Sequence, residues 1–269
     1  ISSDCLLGMR INGDDQLDGG LEIKDYIDIA KELSELGVDV FHISAGTYRV
    51  MEQRITPMYL PEAPFVKYAE RFKQHLDVPI IASGSIHSIE MCENVVRTGM
   101  ADLVAMARPL FADPELPTKI FEGNEDAIIP CIRCNTCVAR EQGGARGHCA
   151  VNPIAGRETE QLEKSADPKT ILVVGAGPAG IQLALSARNR GHTVLLVEKE
   201  KHIGGQIALA ETFSFKKSLT RLLGYYSKAL ASAGVEVYLN SEITETLAKF
   251  GDCIDLVVFT TGNQIPVPD

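Results

Sequence analysis

Residues 169–200, KTILVVGAGPAGIQLALSARNRGHTVLLVEKE, leave the backbone few choices. An apolar run ends at a glycine-rich turn, a helix-period stretch follows, and a second apolar run closes on an acidic residue. Gly175 makes the tight turn, Gly177 lets a pyrophosphate approach the backbone, and Gly180 permits close packing of helix on strand. An anion bound there meets free N–H groups and the positive end of the helix dipole. Glu198 closes the second strand, eighteen residues after Gly180, where it can bond ribose hydroxyls. A lone GxGxxG is a weak signal. Strand context, spacing and the acidic end together predict a dinucleotide-binding βαβ unit rather than a chance glycine turn.

A second constraint is the stretch Cys131–Cys149, CIRCNTCVAREQGGARGHC. Cys131, Cys134 and Cys137 fall within seven residues, and Cys149 follows after eleven more. Thiolates crowded in this way repel one another and oxidise readily, so the spacing points to a metal. Four buried apolar cysteines at this spacing are the bland alternative. Zinc usually takes two separated CxxC knuckles, whereas a tight CxxCxxC turn resembles iron–sulfur ligation. A disulfide framework fits poorly, because Cys5, Cys92 and Cys253 are scattered singly through a large acidic chain of the kind expected in a reducing compartment. Gly143, Gly144 and Gly147 let the backbone turn so that Cys149 can return to the same site.

The first 118 residues alternate apolar strands with helices. Strands are predicted at Cys5–Ile11, Val40–Ser44, Val78–Ala82 and Leu103–Ala107, with helices over Ile23–Leu36, Phe65–His75 and Ile89–Thr98. Near-continuous apolar strands with helical crossovers make a parallel sheet covered on both faces. Four such units are roughly half of a (β/α)8 barrel, for which about 250 residues is typical. Polar residues stand where such a barrel puts its chemistry. Gly84 follows one strand, Arg108 follows another with the reach for a bidentate grip on phosphate, and Arg10 lies between Met9 and Ile11 in the first. The plain alternative for both arginines is a structural ion pair. His42 reads as a packed strand residue.

The segments VFHISAGTY (40–48), PIIASGSI (79–86), ADLVAMARPLFADPEL (101–116) and the cysteine run ending in CAVNP (149–153) resemble a family of iron–sulfur flavin enzymes. That family includes 2,4-dienoyl-CoA reductase, 2-enoate reductase and trimethylamine dehydrogenase, and its first domain is similar to the FMN-holding (β/α)8 barrel of old yellow enzyme. The likeness implies that Arg10 faces the FMN pyrimidine edge, while Gly84, Ser85, Ala107 and Arg108 hold the phosphate. Ser85 departs from the Arg of some bacterial dienoyl-CoA reductases. The CxxCxxC spacing is more like trimethylamine dehydrogenase, and the eleven-residue gap more like the reductase. In the loop TYRVMEQRITP (47–57), Arg54 is kept but the histidine that assists proton donation in dienoyl-CoA reductases is missing. Tyr48 is the local candidate acid, or a packing residue, and the main proton donor is expected outside this chain. Gly205 and Gln206, with Gly204, resemble the extended fingerprint of two-dinucleotide-domain flavoproteins, and DLVVFTTG (255–262) the strand closing the first half of their FAD domain. Gly175, Ala176, Gly177, Ala179, Gly180, Glu198, Lys199, Gly205, Gln206 and Gly262 would then hold FAD, or ADP as in trimethylamine dehydrogenase.

The expected architecture is α/β. It comprises a partial FMN-binding TIM barrel (1–118), a cysteine-rich 4Fe–4S segment with linker (119–168), and the first part of a Rossmann-like FAD-binding domain (169–269). Cys131, Cys134, Cys137 and Cys149 are the expected cluster ligands. By the resemblance, electrons pass from NAD(P)H to FAD, through the cluster to FMN, and on to an activated C=C of an enoyl-CoA, enoate or steroid enone. Dehydrogenation of methylated amines with the same cofactors is one alternative, and a non-catalytic zinc-stapled nucleotide-binding protein is another. A net charge of −10 argues against a nucleic-acid surface, and no apolar run reaches membrane-spanning length. A small-molecule substrate, a cytoplasmic location and a full-length homo-oligomer are expected. Both ends look cut from something longer. Alone, the fragment is expected to be inactive, to associate and to hold FMN weakly.

Overall fold

The computed structural model describes residues 4–144, 147–160 and 163–263. The chain forms two compact units, residues 1–120 with 130–153, and residues 121–129 with 154–269.

In the first unit, strands β1 (Gly8–Asn12), β2 (Val40–Ser44), β3 (Ile80–Ala82) and β4 (Leu103–Val104) pair in parallel in sequence order. Helices Ile23–Glu35, Val66–Lys73 and Ile89–Arg97 make the crossovers. This is the C-terminal half of a (β/α)8 barrel. Its core joins Ile11, Phe41, Ile43, Ile80 and Ala82 of the sheet to Ile27, Ala30, Ala69, Phe72 and Val95 of the helices. Phe41 and Phe72 are fully buried, each contributing about 1.5–3 kcal/mol of apolar transfer. Local chemistry sets the helix ends. Ser88 Oγ accepts the Met91 N–H at 3.2 Å, capping the third crossover helix, while Gly37 at φ 102° takes the left-handed turn after the first. Asp102 ties a crossover to the sheet, accepting the Ile80 N–H at 2.8 Å and pairing with Lys73 at 2.8 Å. Burial opposes its ionisation, but Lys73 and the amide together hold its carboxyl below the usual carboxylate range.

In the second unit, β5 (Thr170–Val174), β6 (Thr193–Val197), β7 (Glu236–Tyr238) and β8 (Leu256–Phe259) form a parallel sheet in the order β7-β6-β5-β8. Consecutive β5 and β6 are joined by the helix Pro178–Asn189, and the order reverses at β5, where β8 adds on the other side. That reversal is the topological switch point at which doubly wound sheets bind ligands. The helix Ser218–Ser232 covers the unit with Leu219, Leu222, Tyr226 and Leu230 buried. Residues 125–127 form a single 3-10 turn of this unit, and Asp126 pairs with Lys228. Among the described residues no helix is long and apolar enough to cross a membrane.

Candidate functional site

The strands of the first unit end on a cavity of about 270 Å³. Arg10 on β1 and His42 directly opposite it on β2 line one side, and the turn Ser83–His87 after β3 and Ala105–Pro109 after β4 line another. Arg54 and Arg133 complete a lining with four arginines, and among the described residues around it there is no carboxylate. Glu62, outside the lining, pairs with Arg133 at 3.7 Å, so the arginines at the cavity still outnumber the neighbouring carboxylate. Such a surplus favours an anion.

Several predicted residues meet here. At Gly84 φ is 97°, and a Cβ would lie 2.2 Å from the Phe65 ring, so this glycine is required by both backbone and packing. Ser85 is also left-handed, at φ 52°. Its hydroxyl bonds Thr56 Oγ1 and accepts from Arg108 Nη2. Arg108 does not follow a long strand as expected. The ladder stops at Val104 and Arg108 opens the short helix Arg108–Ala112, with Ala107 exposed just before it. Its Nη1 donates to Thr56 O at 2.9 Å and to Asn135 Oδ1. Three of its five N–H donors are thus spent, leaving Nε–H and one Nη2–H for a ligand. Burial lowers the Arg108 pKa, and the neighbouring Cys131, Cys137 and Cys134 oppose the shift.

His42 was missed as a site residue by sequence reasoning. It lines the cavity, its Nε2 is buried without a hydrogen-bond partner, and burial and then the Arg10 charge lower its pKa, keeping the ring neutral at pH 7. The sequence signal was its strand parity with Arg10, visible only once the register is known. Arg10 itself is exposed at the cavity mouth, its pKa lowered by partial burial and then by Arg54. Tyr48 stands outside the lining, 77 % exposed, with the Arg54 guanidinium 4.2 Å above its ring. An FMN-like ligand fits these residues: the unspent Arg108 donors suit a phosphate, and the orphan His42 Nε2 needs a polar partner.

The four predicted cysteine ligands belong to the same unit, and all are free thiols. Among the described residues no three His, Cys, Asp or Glu side chains are arranged to hold a single ion. The thiols nevertheless feel one another. Cys131 is pushed up to about 11, first by burial, with Cys149 and Cys134 adding and the Arg133 amide and Arg108 opposing. Burial likewise raises Cys137. The Arg133 N–H donates to Cys131 Sγ at 3.4 Å, and Thr136 Oγ1 to Cys134 Sγ at 3.2 Å. Donors aimed at sulfur suit thiolates that carry cluster charge, so this donor set fits an iron–sulfur group.

In the second unit the glycine turn has the geometry its motif requires. A Cβ at Gly180 would lie 1.9 Å from Gly175 O, and one at Gly175 2.8 Å from Thr260 O, whereas Gly177 faces open space. Glu198 is buried, and its carboxylate accepts the Ala176 N–H at 2.7 Å and the Glu200 N–H at 3.0 Å. It therefore anchors the turn as well as closing β6, and its oxygens keep lone pairs for ribose. The Gly204-Gly205 pair folds back on the turn. Gly204 N–H donates to Ala176 O at 2.7 Å, and a Cβ at Gly205 would lie 3.2 Å from Gly177 Cα. Ala179, Lys199, Gln206 and Gly262 are exposed. A nucleotide pyrophosphate fits the open face of Gly177 at the helix N-terminus. A hollow of about 960 Å³ against the helix Ser218–Ser232 contains no residue of the glycine turn.

Residues 1–127 match the NADH:flavin oxidoreductase / NADH oxidase family, and residues 170–221 the FAD-dependent oxidoreductases. The chain is 37 % identical over 275 residues to an NADH oxidase of Thermoanaerobacter brockii, covering 100 % of this chain and 42 % of that protein. It is also 37 % identical over 248 residues to a cinnamate reductase of Clostridium sporogenes, covering 91 % of this chain and 37 % of the relative. Among solved structures, a 2-naphthoyl-CoA reductase complex superposes with a TM-score of 0.91 at 30 % identity, covering 97 % of this chain and 40 % of that one. Histamine dehydrogenase from Rhizobium sp. 4-9 superposes with a TM-score of 0.85 at 27 % identity, over 96 % of this chain and 38 % of that one. The chain thus spans about two fifths of the length of the proteins it matches.

Proposed function

Because the chain belongs to the NADH:flavin oxidoreductase / NADH oxidase family, in the branch shared by 2,4-dienoyl-CoA reductase, 2-enoate reductase and trimethylamine dehydrogenase, we propose that it forms part of an NAD(P)H-dependent flavin and iron–sulfur ene-reductase. The observation that carries this reading is the arginine-lined cavity at the barrel strand ends, with Arg108 near the cysteine turn. Bound together, NAD(P)H, FAD, a 4Fe–4S cluster and FMN would supply hydride acceptance, single-electron relay and hydride delivery to an activated C=C.

The chain's own residues do the binding and the electrostatics. Arg108 offers its two remaining donors to the FMN phosphate, with Gly84, Ser85 and Ala107 supplying backbone around it. Arg10 puts a fixed positive charge at the pyrimidine edge, where it favours negative charge developing on reduction. His42, held neutral, presents Nε2 into the same cavity. Cys131, Cys134, Cys137 and Cys149 ligate the cluster. Gly175, Gly177 and Gly180 shape the nucleotide turn, Glu198 faces the ribose, and Ala176, Ala179, Lys199, Gly205, Gln206 and Gly262 frame FAD, or ADP in its place. Tyr48 is the local proton-donor candidate. In this reading residues 1–118, 119–168 and 169–269 are the barrel, cluster and dinucleotide parts, the substrate is an enoyl-CoA, enoate or steroid enone, and the setting is cytoplasmic.

A second reading is oxidation of an amine, supported by the likeness to histamine dehydrogenase. Turnover decides between them. Alkene reduction by the full-length protein with NAD(P)H supports the first, and turnover of methylated amines alone transfers the assignment to the second. Anaerobic protein without iron and sulfide sinks both.

A further inference from the structure

Cys134 is flanked by two residues in an unusual conformation. Arg133 (φ 56°) and Asn135 (φ 59°) are both left-handed without being glycine. That conformation is unfavourable for residues carrying a Cβ, so the surroundings must hold each in place. Arg133 is buried at 2 % exposure, and its Nη2 donates to Leu60 O at 2.7 Å and Pro61 O at 2.9 Å. Its Nη1 lies 3.7 Å from Glu62 Oε1. The same oxygen meets His87 Nε2 at 2.9 Å, and His87 Nδ1 meets Ser85 O at 2.7 Å. Asn135 starts a second thread. Its Nδ2 donates to Ile55 O at 2.7 Å, and its Oδ1 accepts from Arg108 Nη1, while Arg108 Nη2 donates to Ser85 Oγ. Both threads leave the cysteine turn and end on Ser85, one at its carbonyl and one at its hydroxyl.

We infer that Arg133 and Asn135 are positioning residues that couple the cysteine turn to the anion site at Ser85 and Arg108, so that a phosphate-bearing ligand there and a metal cluster at the cysteines stabilise each other. The inference rests on the reading that the two places hold FMN phosphate and an iron–sulfur cluster. A guanidinium is planar, so a phosphate gripping the unspent Nε–H and Nη2–H fixes the orientation of Nη1 as well. Fixing Nη1 fixes Asn135 and with it the backbone that carries Cys134. Linkage makes the effect reciprocal: a cluster that immobilises Cys131 and Cys134 presents Arg108 already oriented.

The test uses the full-length protein, prepared anaerobically. FMN affinity is measured by flavin fluorescence with the cluster present and after its removal, and iron release to a ferrous chelator is followed with and without saturating FMN. Cluster removal is expected to weaken FMN binding about fivefold or more, the low end of ordinary couplings, and FMN is expected to slow iron release. Inorganic phosphate should slow release in the same direction, because it engages the Arg108 end alone. Asn135→Gly keeps the left-handed backbone but deletes both side-chain bonds. It is expected to assemble a cluster while the FMN effect shrinks, the part left being carried by the Arg133 thread, whereas a staple needed only for folding would leave the ratio intact. Equal FMN affinity with and without the cluster overturns the inference, as does an unchanged ratio in Asn135→Gly. If that variant fails to fold, the wild-type affinities decide alone. Protein lacking iron and sulfide removes the reading beneath it, whereas iron-loaded protein without coupling removes only this inference.

Discussion

At Gly180 a single hydrogen decides whether a helix can pack. A methyl group there would lie 1.9 Å from Gly175 O and 2.6 Å from Thr260 Oγ1, and neither a backbone carbonyl nor a hydroxyl whose one hydrogen serves Val174 O or Gly175 O can retreat easily. Gly180→Ala should therefore destabilise the second unit by about 1–3 kcal/mol and weaken FAD retention. Gly224, inside the helix Ser218–Ser232, has open space around its missing Cβ, so Gly224→Ala should stabilise by up to about 1 kcal/mol. Thermal unfolding of the two variants should move in opposite directions, and movement in the same direction would contradict the packing account. Arg108→Lys tests the fork. A lysine keeps the charge but cannot serve Thr56, Asn135, Ser85 and a phosphate together, so FMN affinity should fall at least about tenfold by fluorescence titration. Legibility at this scale was uneven. The glycines of the turns declared themselves, because few other residues fit their packing and backbone angles. Arg133, Asn135 and His42 stayed hidden, because their importance comes from a left-handed backbone and a strand register that no spacing encodes.

Single elements were read most accurately where burial is continuous. Val40–Ser44 was predicted with the bounds it has, since an inner strand flanked on both sides needs an unbroken apolar run. The predicted strand Leu103–Ala107 pairs only over Leu103–Val104, because β4 is an edge strand with one neighbour among the described residues. The helix Ser218–Ser232 starts only after a 3-10 turn over residues 214–216, beside which the Phe213 and Phe215 rings lie 5.7 Å apart. The link from β1 to its crossover helix carries a pH-dependent contact. Tyr26 donates its hydroxyl to Asp15 Oδ1 at 2.7 Å, and the same carboxylate accepts the Leu21 N–H at 3.0 Å and Asn12 Nδ2 at 3.2 Å. Burial and then Asp15 push the Tyr26 phenol up to about 12. A folded-state value above the unfolded one of about 10 means that the contact's stability is fully present below about pH 10 and is lost as pH rises through about 12. Tyr26→Phe should cost about 0.5–1.5 kcal/mol at neutral pH and flatten the alkaline limb of a denaturation series. An unchanged slope between pH 10 and 12 would show that the bond is absent in solution.

For the molecule as a whole, both sheets were legible but the path between the units was not. Residues 121–129 fold with the second unit before the chain returns to the first at Pro130. That short segment has no apolar period, and its Asp126 pairs with Lys228, a long-range contact invisible to local reading. Both sheets also remain open among the described residues, with β1 and β4 as edges of one and β7 and β8 as edges of the other. Leu103 on β4 is 52 % exposed and Phe259 on β8 is 65 % exposed. Open edges bearing apolar side chains recruit further strands. The net charge of −10 opposes such pairing through repulsion, but salt screens charges beyond a Debye length of about 8–10 Å at 0.10–0.15 M. The 269-residue polypeptide should therefore sediment close to its 29.2 kDa monomer mass at low ionic strength and self-associate as salt is added, the reverse of an assembly held by ion pairs. Leu103→Lys and Phe259→Lys place a charge on each apolar edge and should shift the association to higher protein concentration, with the double variant shifted furthest. A polypeptide that stays monomeric at every salt concentration has covered edges, and the open-sheet account then fails.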